Sequence, residues 1–288
     1  MKLRSQHLLA ALAAFASALA CAAPTPNAIS PSVDGAPRLL LAVSEGTSGG
    51  AGPMEIIEKY LPLAEVIGRA VKMQVIVEPA RNFQRLDEGM RSQRFDLALA
   101  RPSDYPARGM RDYGYRYVAN AAPEGRCVFL VPKASPYKAL DELRNKRVVL
   151  PEKVSYMAQF CSAELRDAGF DLRNVQYVKE QEVVVYQLQT GNAELGGVAS
   201  YSKALKSRED AGLRELARSR PQPYMPIVAG PRITPAQMAA IRQALVKLGE
   251  TPDGQKLLAR LGVGGFQVDG EARLSTLLQW LEKGTAKS

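Results

Sequence analysis

Phe95-Asp96-Leu97-Ala98-Leu99-Ala100-Arg101-Pro102-Ser103-Asp104-Tyr105 is an apolar run closed by an arginine and a proline. A short continuous apolar stretch bounded by a breaker reads as a strand covered on both faces, here Phe95 to Ala100. Ending such a strand in arginine is costly unless the guanidinium reaches solvent or an anion. Arg101 is therefore the sharpest candidate for anion recognition, with a structural salt bridge as the alternative.

Upstream, Arg38 to Val43 (RLLLAV) has the same buried-strand character, and Met73 to Val77 reads as another strand. A Gly-rich loop, Ser44 to Pro53, and a helical stretch to Val71 lie between them. Pro62 costs roughly 3 kcal/mol inside a helix but little in a first turn, so the main helix is expected to start near Leu61 after an irregular turn. Asn82 to Arg91 follows as a second helix. Downstream, Tyr115 to Ala121 and Arg126 to Val131 read as strands separated by a turn at Pro123-Glu124-Gly125.

The alternation then restarts. Leu140 to Asn145 is a short helix, Arg147 to Leu150 a strand, and Ser155 to Ala168 a helix stopped by Gly169. Val175 to Val178, Glu182 to Thr190, Glu194 to Val198 and Ser200 to Lys206 continue as strand, helix, strand and helix. Tyr224 to Ala229 is a strand between prolines, and the chain after Pro235 is almost wholly helical to Gly284. Two rounds of alternation predict an α/β fold of two lobes, one from 38–125 with 220–288 and one from 126–219, with Tyr224 to Ala229 as the return crossing.

Residues 1–20 have a positive start (Lys2, Arg4), an apolar run and small residues at Ala18-Leu19-Ala20, the layout of a secretory signal. Residues 21–37 read as a tether. Cys21 stands where a lipid-anchored cysteine would, with Ala18 in place of the usual leucine, so plain cleavage and lipidation both stay open. His7 is the only histidine and leaves with the signal, which excludes a Ser-His-Asp triad, a Cys-His pair and a histidine metal site. The net charge of +9 falls to +7 with the loss of Lys2 and Arg4, but the bases are scattered and nucleic-acid binding is not expected. Neither glycine-rich phosphate motif is present, and no cofactor or metal is expected. Cys127 and Cys161 face an oxidising compartment as a disulfide or as two buried thiols.

Ligands of open α/β sheets sit beyond the carboxyl ends of strands. That rule selects Ser44 and Glu45, then Arg81 and Phe83, then Arg101, Ser103 and Tyr105. In the second lobe it selects Ser155, Tyr156 and Met157 at one helix start and Tyr201 at another. A helix N-terminus near Ser155 would add unpaired N–H groups to an anion site, although Ser155 is also a natural N-cap.

From Arg38 to about Gly284 the chain resembles the phosphate/phosphite/phosphonate-binding (PhnD-like) family of ABC-transporter solute-binding proteins. The resemblance rests on Arg38 to Val43, Tyr60-Leu61-Pro62-Leu63-Ala64, Phe95 to Tyr105, and Leu140-Asp141-Glu142-Leu143 with Lys146-Arg147-Val148. It implies a type II periplasmic-binding fold whose lobes are joined by two crossing strands. It also implies a non-enzymatic, periplasmic, monomeric protein that passes a small anion to an ABC permease. A receptor for a sensor kinase and an enzyme on a related two-lobe fold are the competing functions. Tyr105 matches the tyrosine of the family's Gly-Pro-x-x-Tyr turn, Phe83 an aromatic of the second helix, and Arg101 replaces a glycine. Ser155-Tyr156-Met157 keeps only one hydroxyl of the family's Ser-Thr-Ser-Gly-like cradle, so a carboxylate or another small anion fits as well as a phosphonate.

Overall fold

Three parallel strands set the frame: β1 (Arg38–Ser44) pairs with β2 (Gln74–Pro79) on one side and β3 (Leu97–Ala100) on the other. The computed structural model describes residues 37–46, 52–80 and 82–283. Residues 1–36, which hold the expected export signal, Cys21 and nearly all of the expected tether, lie outside the described residues, as does Arg81. Helices α1 (Pro53–Val71), α2 (Phe83–Arg91) and α3 (Asp104–Asp112) follow the three strands in turn. The four residues of β3 are all buried, and its two faces enter different cores. Leu97 and Leu99 pack in a core with the α1 residues Tyr60, Leu63 and Ile67, whereas Ala98 and Ala100 pack with Leu86 of α2 and Ala107 of α3. Covering by helices on both sides is why the strand is apolar without alternation.

β4 (Arg116–Gly125) belongs to this sheet, and one residue later β5 (Cys127–Pro132) begins the other. The second lobe continues through β6 (Val148–Leu150), α4 (Tyr156–Asp167), β7 (Val175–Tyr177), α5 (Gln181–Gln189), β8 (Leu195–Ala199), α6 (Lys203–Lys206) and β9 (Leu213–Arg218). The chain returns in β10 (Gln222–Ala229), antiparallel between β3 and β4, and ends in α7 (Pro235–Val246), α8 (Pro252–Leu261), β11 (Gly265–Gln267) and α9 (Glu271–Glu282). The strand orders are β11-β4-β10-β3-β1-β2 and β7-β6-β8-β5-β9. The two crossings touch: Gly125 pairs with Gln222, and Arg126 Nη1 donates to the Ser219 carbonyl at 2.6 Å. The fold is of the type II periplasmic-binding class.

Cys127 of β5 and Cys161 of α4 are joined in a disulfide, with Cα atoms 5.3 Å apart. The bond fits only because β8 carries glycine opposite: a Cβ on Gly197 would lie 2.9 Å from Cys161 Sγ and 3.1 Å from Cys127 Sγ.

Several local expectations are corrected. α1 starts at Pro53, not near Leu61, and runs straight through Pro62. Proline at 62 leaves the Glu58 carbonyl without its helical donor, and Arg260 Nη2 of α8 supplies one at 2.8 Å. Residues 123–125 are not a turn but the end of β4, because the following strand lies in the other sheet and no reversal is needed. The helix expected from Ser200 begins at Lys203, capped by Ser202, whose Oγ accepts from Leu205 N. α3, β9 and β11 were not anticipated. β11 interrupts the helical tail by adding an edge strand to β4.

Candidate functional site

β1 and β3 end together, since Ser44 pairs with Ala100 and Arg101 N donates to the Ser44 carbonyl at 2.8 Å. Their continuations place Glu45 and Arg101 on one wall of a cavity of about 400 Å³ between the lobes. Phe83, at the start of α2, joins them. The opposite wall comes from the second lobe, where β6 and β8 end and Ser155, Tyr156, Met157 and Tyr201 reach the same cavity. Ser155 Oγ accepts from Ala158 N at 3.2 Å and so caps α4.

Three expected residues stand back from the cavity. Ser44 is buried beneath it, its hydroxyl without a partner. Ser103 is also buried and donates to the Pro223 carbonyl at 2.6 Å, tying the end of β3 to β10. Tyr105 stacks on Phe83, ring centres 5.1 Å apart, and so backs a wall residue. Missed were Glu152 after β6, Lys179, Glu180 and Glu182 at the start of α5, and Lys203 at the start of α6. The strand-end rule finds the α5 group once it is applied to β7, as it was to the other strands.

Charge on the first-lobe wall is held by a network. Glu45 Oε1 accepts from Lys59 Nζ at 2.6 Å and from Tyr60 OH at 2.7 Å, and lies 3.6 Å from Arg101 Nη2. Burial opposes ionisation of Glu45, but the bonds from Lys59 and Tyr60 and the charge of Arg101 hold its carboxyl below the usual value. Arg101 lies over the Tyr201 ring, 5.9 Å from its centre, and Tyr201 stacks on Tyr224 of β10 at 4.3 Å. This column runs from one lobe to the other. The Arg101 Nε is buried and unpaired, and the Tyr156 hydroxyl is buried beside Ser103 without a hydrogen bond of normal geometry. Burial pushes the Tyr156 phenol well up, so it remains a neutral donor. Two residues that line the cavity thus carry buried donors without acceptors, Arg101 Nε and Tyr156 OH.

Away from the cavity, α9 reaches across to the second lobe. Trp280 packs edge-on against Phe160 of α4 at 5.3 Å, and its Nε1 donates to Asp167 at 2.8 Å. Arg220, in the return crossing, lies over the same ring at 4.6 Å and pairs with Glu164 and Asp167.

Similarity to solved structures agrees with this architecture. A Xanthomonas citri protein, solved bound to chloride ion and also bound to ATP, aligns at TM-score 0.65 and 15% identity over 85% of this chain and 98% or 97% of its own. PhnD1 from Prochlorococcus marinus, in complex with methylphosphonate, aligns at TM-score 0.63 and 12% identity over 87% and 99%. The binding protein component of an ABC phosphonate transporter from Pseudomonas aeruginosa aligns at 0.57 and 15% over 85% of each chain. No curated protein matches the sequence. The family model of the periplasmic substrate-binding protein of ABC phosphonate transporters matches residues 51–269. With that match across most of the two-lobe body, the chain belongs to the periplasmic substrate-binding proteins of ABC phosphonate transporters.

Proposed function

We propose that this binding protein holds the oxyanion of a small organic solute against Arg101, with Tyr156, Tyr201 and the N-terminus of α4 completing the grip, and hands it to the ABC permease. The carrying observation is that Arg101, a residue lining the interlobe cavity, keeps a buried and unpaired Nε donor. Lobe 38–125 with 220–288 and lobe 126–219 would close on the ligand, because each presents only half of the contacts. Phe83, Met157 and Tyr201 supply apolar surface for a short organic substituent, and methylphosphonate, the ligand of the P. marinus relative, has that shape. Residues 1–20 direct export in this reading, and Cys21 becomes either the first residue of a plain cleavage product or a lipid anchor. The intact mass of protein recovered from the periplasm separates these two.

A thermal-shift screen of methylphosphonate, alkylsulfonates, short carboxylates and phosphate against the purified mature protein tests the function. A ligand present at 100 times its Kd stabilises the fold by about 2.7 kcal/mol. With neutral and cationic solutes of similar size in the same screen, stabilisation confined to the anions supports the reading; stabilisation by the neutral or cationic solutes alone would falsify it.

A further inference from the structure

Arg101 keeps its full charge but presents a weaker positive field than an isolated arginine, because a carboxylate shares its wall. The Glu45 side chain is only 8% exposed, and its Oε1 sits within ion-pair reach of both Lys59 Nζ and Arg101 Nη2, at 2.6 and 3.6 Å. Glu45, Lys59 and Arg101 together carry a single net positive charge. The second-lobe lining adds no positive charge, since Lys179 and Lys203 are outnumbered by Glu152, Glu180 and Glu182. Burying Glu45 is not required to anchor Tyr60 or Lys59, since a neutral amide oxygen at the same place would accept both bonds. A buried carboxylate costs free energy wherever it is desolvated, yet here it stands beside the one arginine that faces the cavity from the first lobe among the described residues.

We infer that Glu45 is a specificity-determining residue: it leaves room on Arg101 for one negative charge and turns away compact dianions. The inference rests on the anion-binding reading above and narrows it to head groups of single charge, such as a sulfonate, a carboxylate or a singly ionised phosphonate. The physical basis is repulsion at short range and low dielectric. A dianion placed against Arg101 brings its second charge close to the Glu45 carboxylate, whereas a monoanion is met locally by the one positive charge left on the Glu45–Lys59–Arg101 cluster.

Isothermal titration of the wild-type protein and of Glu45→Gln tests this with three probes at mildly alkaline pH. Methanesulfonate stays a monoanion there, while methylphosphonate and inorganic phosphate are dianions. The wild type should favour methanesulfonate, and Glu45→Gln should shift the ratio of affinities towards the dianions by at least about tenfold. A second measurement needs no variant. Wild-type affinity for methylphosphonate should fall as the pH is raised through the second ionisation of the ligand, while affinity for methanesulfonate stays level over the same range. Equal ratios in the two proteins, or methylphosphonate affinity that rises with its ionisation, overturn the role of Glu45 and leave anion binding standing. Failure of both proteins to bind any of the three, together with no stabilisation by the short carboxylates of the thermal-shift screen, overturns the anion-binding reading and this inference with it.

Discussion

At the scale of single residues, Arg101 and Asp104 lie three positions apart and have opposite problems. Arg101 is a charge with a partner and a spare donor. Arg101→Ala should weaken binding of the cognate anion by roughly 1.5–3 kcal/mol, the scale of a charge-assisted hydrogen bond. Titration calorimetry measures the loss, and an unchanged melting temperature shows that the fold is kept. Asp104 is a carboxylate with too few partners: one oxygen is buried and unbonded, and burial pushes its pKa up to about 6, against an ordinary 3.8, although Arg108 draws it down. The folded state thus holds the Asp104 proton more tightly than the unfolded chain. Its contribution to stability is full below pH 3.8 and is lost as pH rises through about 6. Asp104→Asn should therefore be the more stable protein at neutral pH, by roughly 1–3 kcal/mol, with the difference vanishing towards the acid end. Denaturant melts at the two ends of that window give the answer; equal stability at neutral pH would contradict it.

Among elements, two cross-links hold places where a backbone or a loop would otherwise be loose. The Cys127–Cys161 bond closes a segment of sequence separation 34 and pins α4 onto β5. Since α4 and its cap supply Ser155, Tyr156 and Met157, the same bond positions part of the second-lobe wall. Reduction, or the Cys127→Ser and Cys161→Ser double variant, should lower stability by about 2–4 kcal/mol. Comparing melts with and without reductant is sufficient. Arg260 does for α1 what its missing N–H does not, by donating to the Glu58 carbonyl. Arg260→Met keeps the aliphatic stem and should cost roughly 0.5–1.5 kcal/mol in urea unfolding. No cost would mean that solvent satisfies Glu58 equally well. β3 was legible because a strand covered on both sides is written as a run of apolar residues. β9 was not: Leu213-Arg214-Glu215-Leu216-Ala217-Arg218 is mostly half-buried and has no such run. α3 was hidden by Pro106, which reads as a breaker but stands in the first turn, where its missing N–H costs nothing.

For the whole molecule, the question is how two lobes behave as one body. Two chain crossings connect the lobes, and the Trp280 bracket adds side-chain contacts between α9, α4 and the return crossing. Trp280→Ala removes the ring that Phe160 and Arg220 both contact and leaves Asp167 with one donor fewer. We expect a loss of roughly 1–3 kcal/mol and a calorimetric transition that splits or broadens as the lobes begin to unfold separately. A single sharp transition with unchanged stability would show that the crossing strands suffice. Ligand should reverse part of the splitting, since its contacts join the lobes on the cleft side.

Local pattern alone determined much of this protein: buried strands, most helices, the two rounds of alternation and the candidacy of Arg101. Those features are legible because covering, capping and breaking act on neighbours in the chain, and each leaves its mark within a few residues. Tertiary structure decided the rest. Glu45 meets Lys59 and Tyr60 only because α1 packs back along the end of β1, and meets Arg101 only because β1 and β3 end level. Ser103 and Tyr105 follow the same strand as Arg101, yet packing against β10 and Phe83 turns them to structural use. The Glu45–Lys59–Arg101 cluster is set by distances between residues far apart in sequence, and no spacing along the chain records a distance through space.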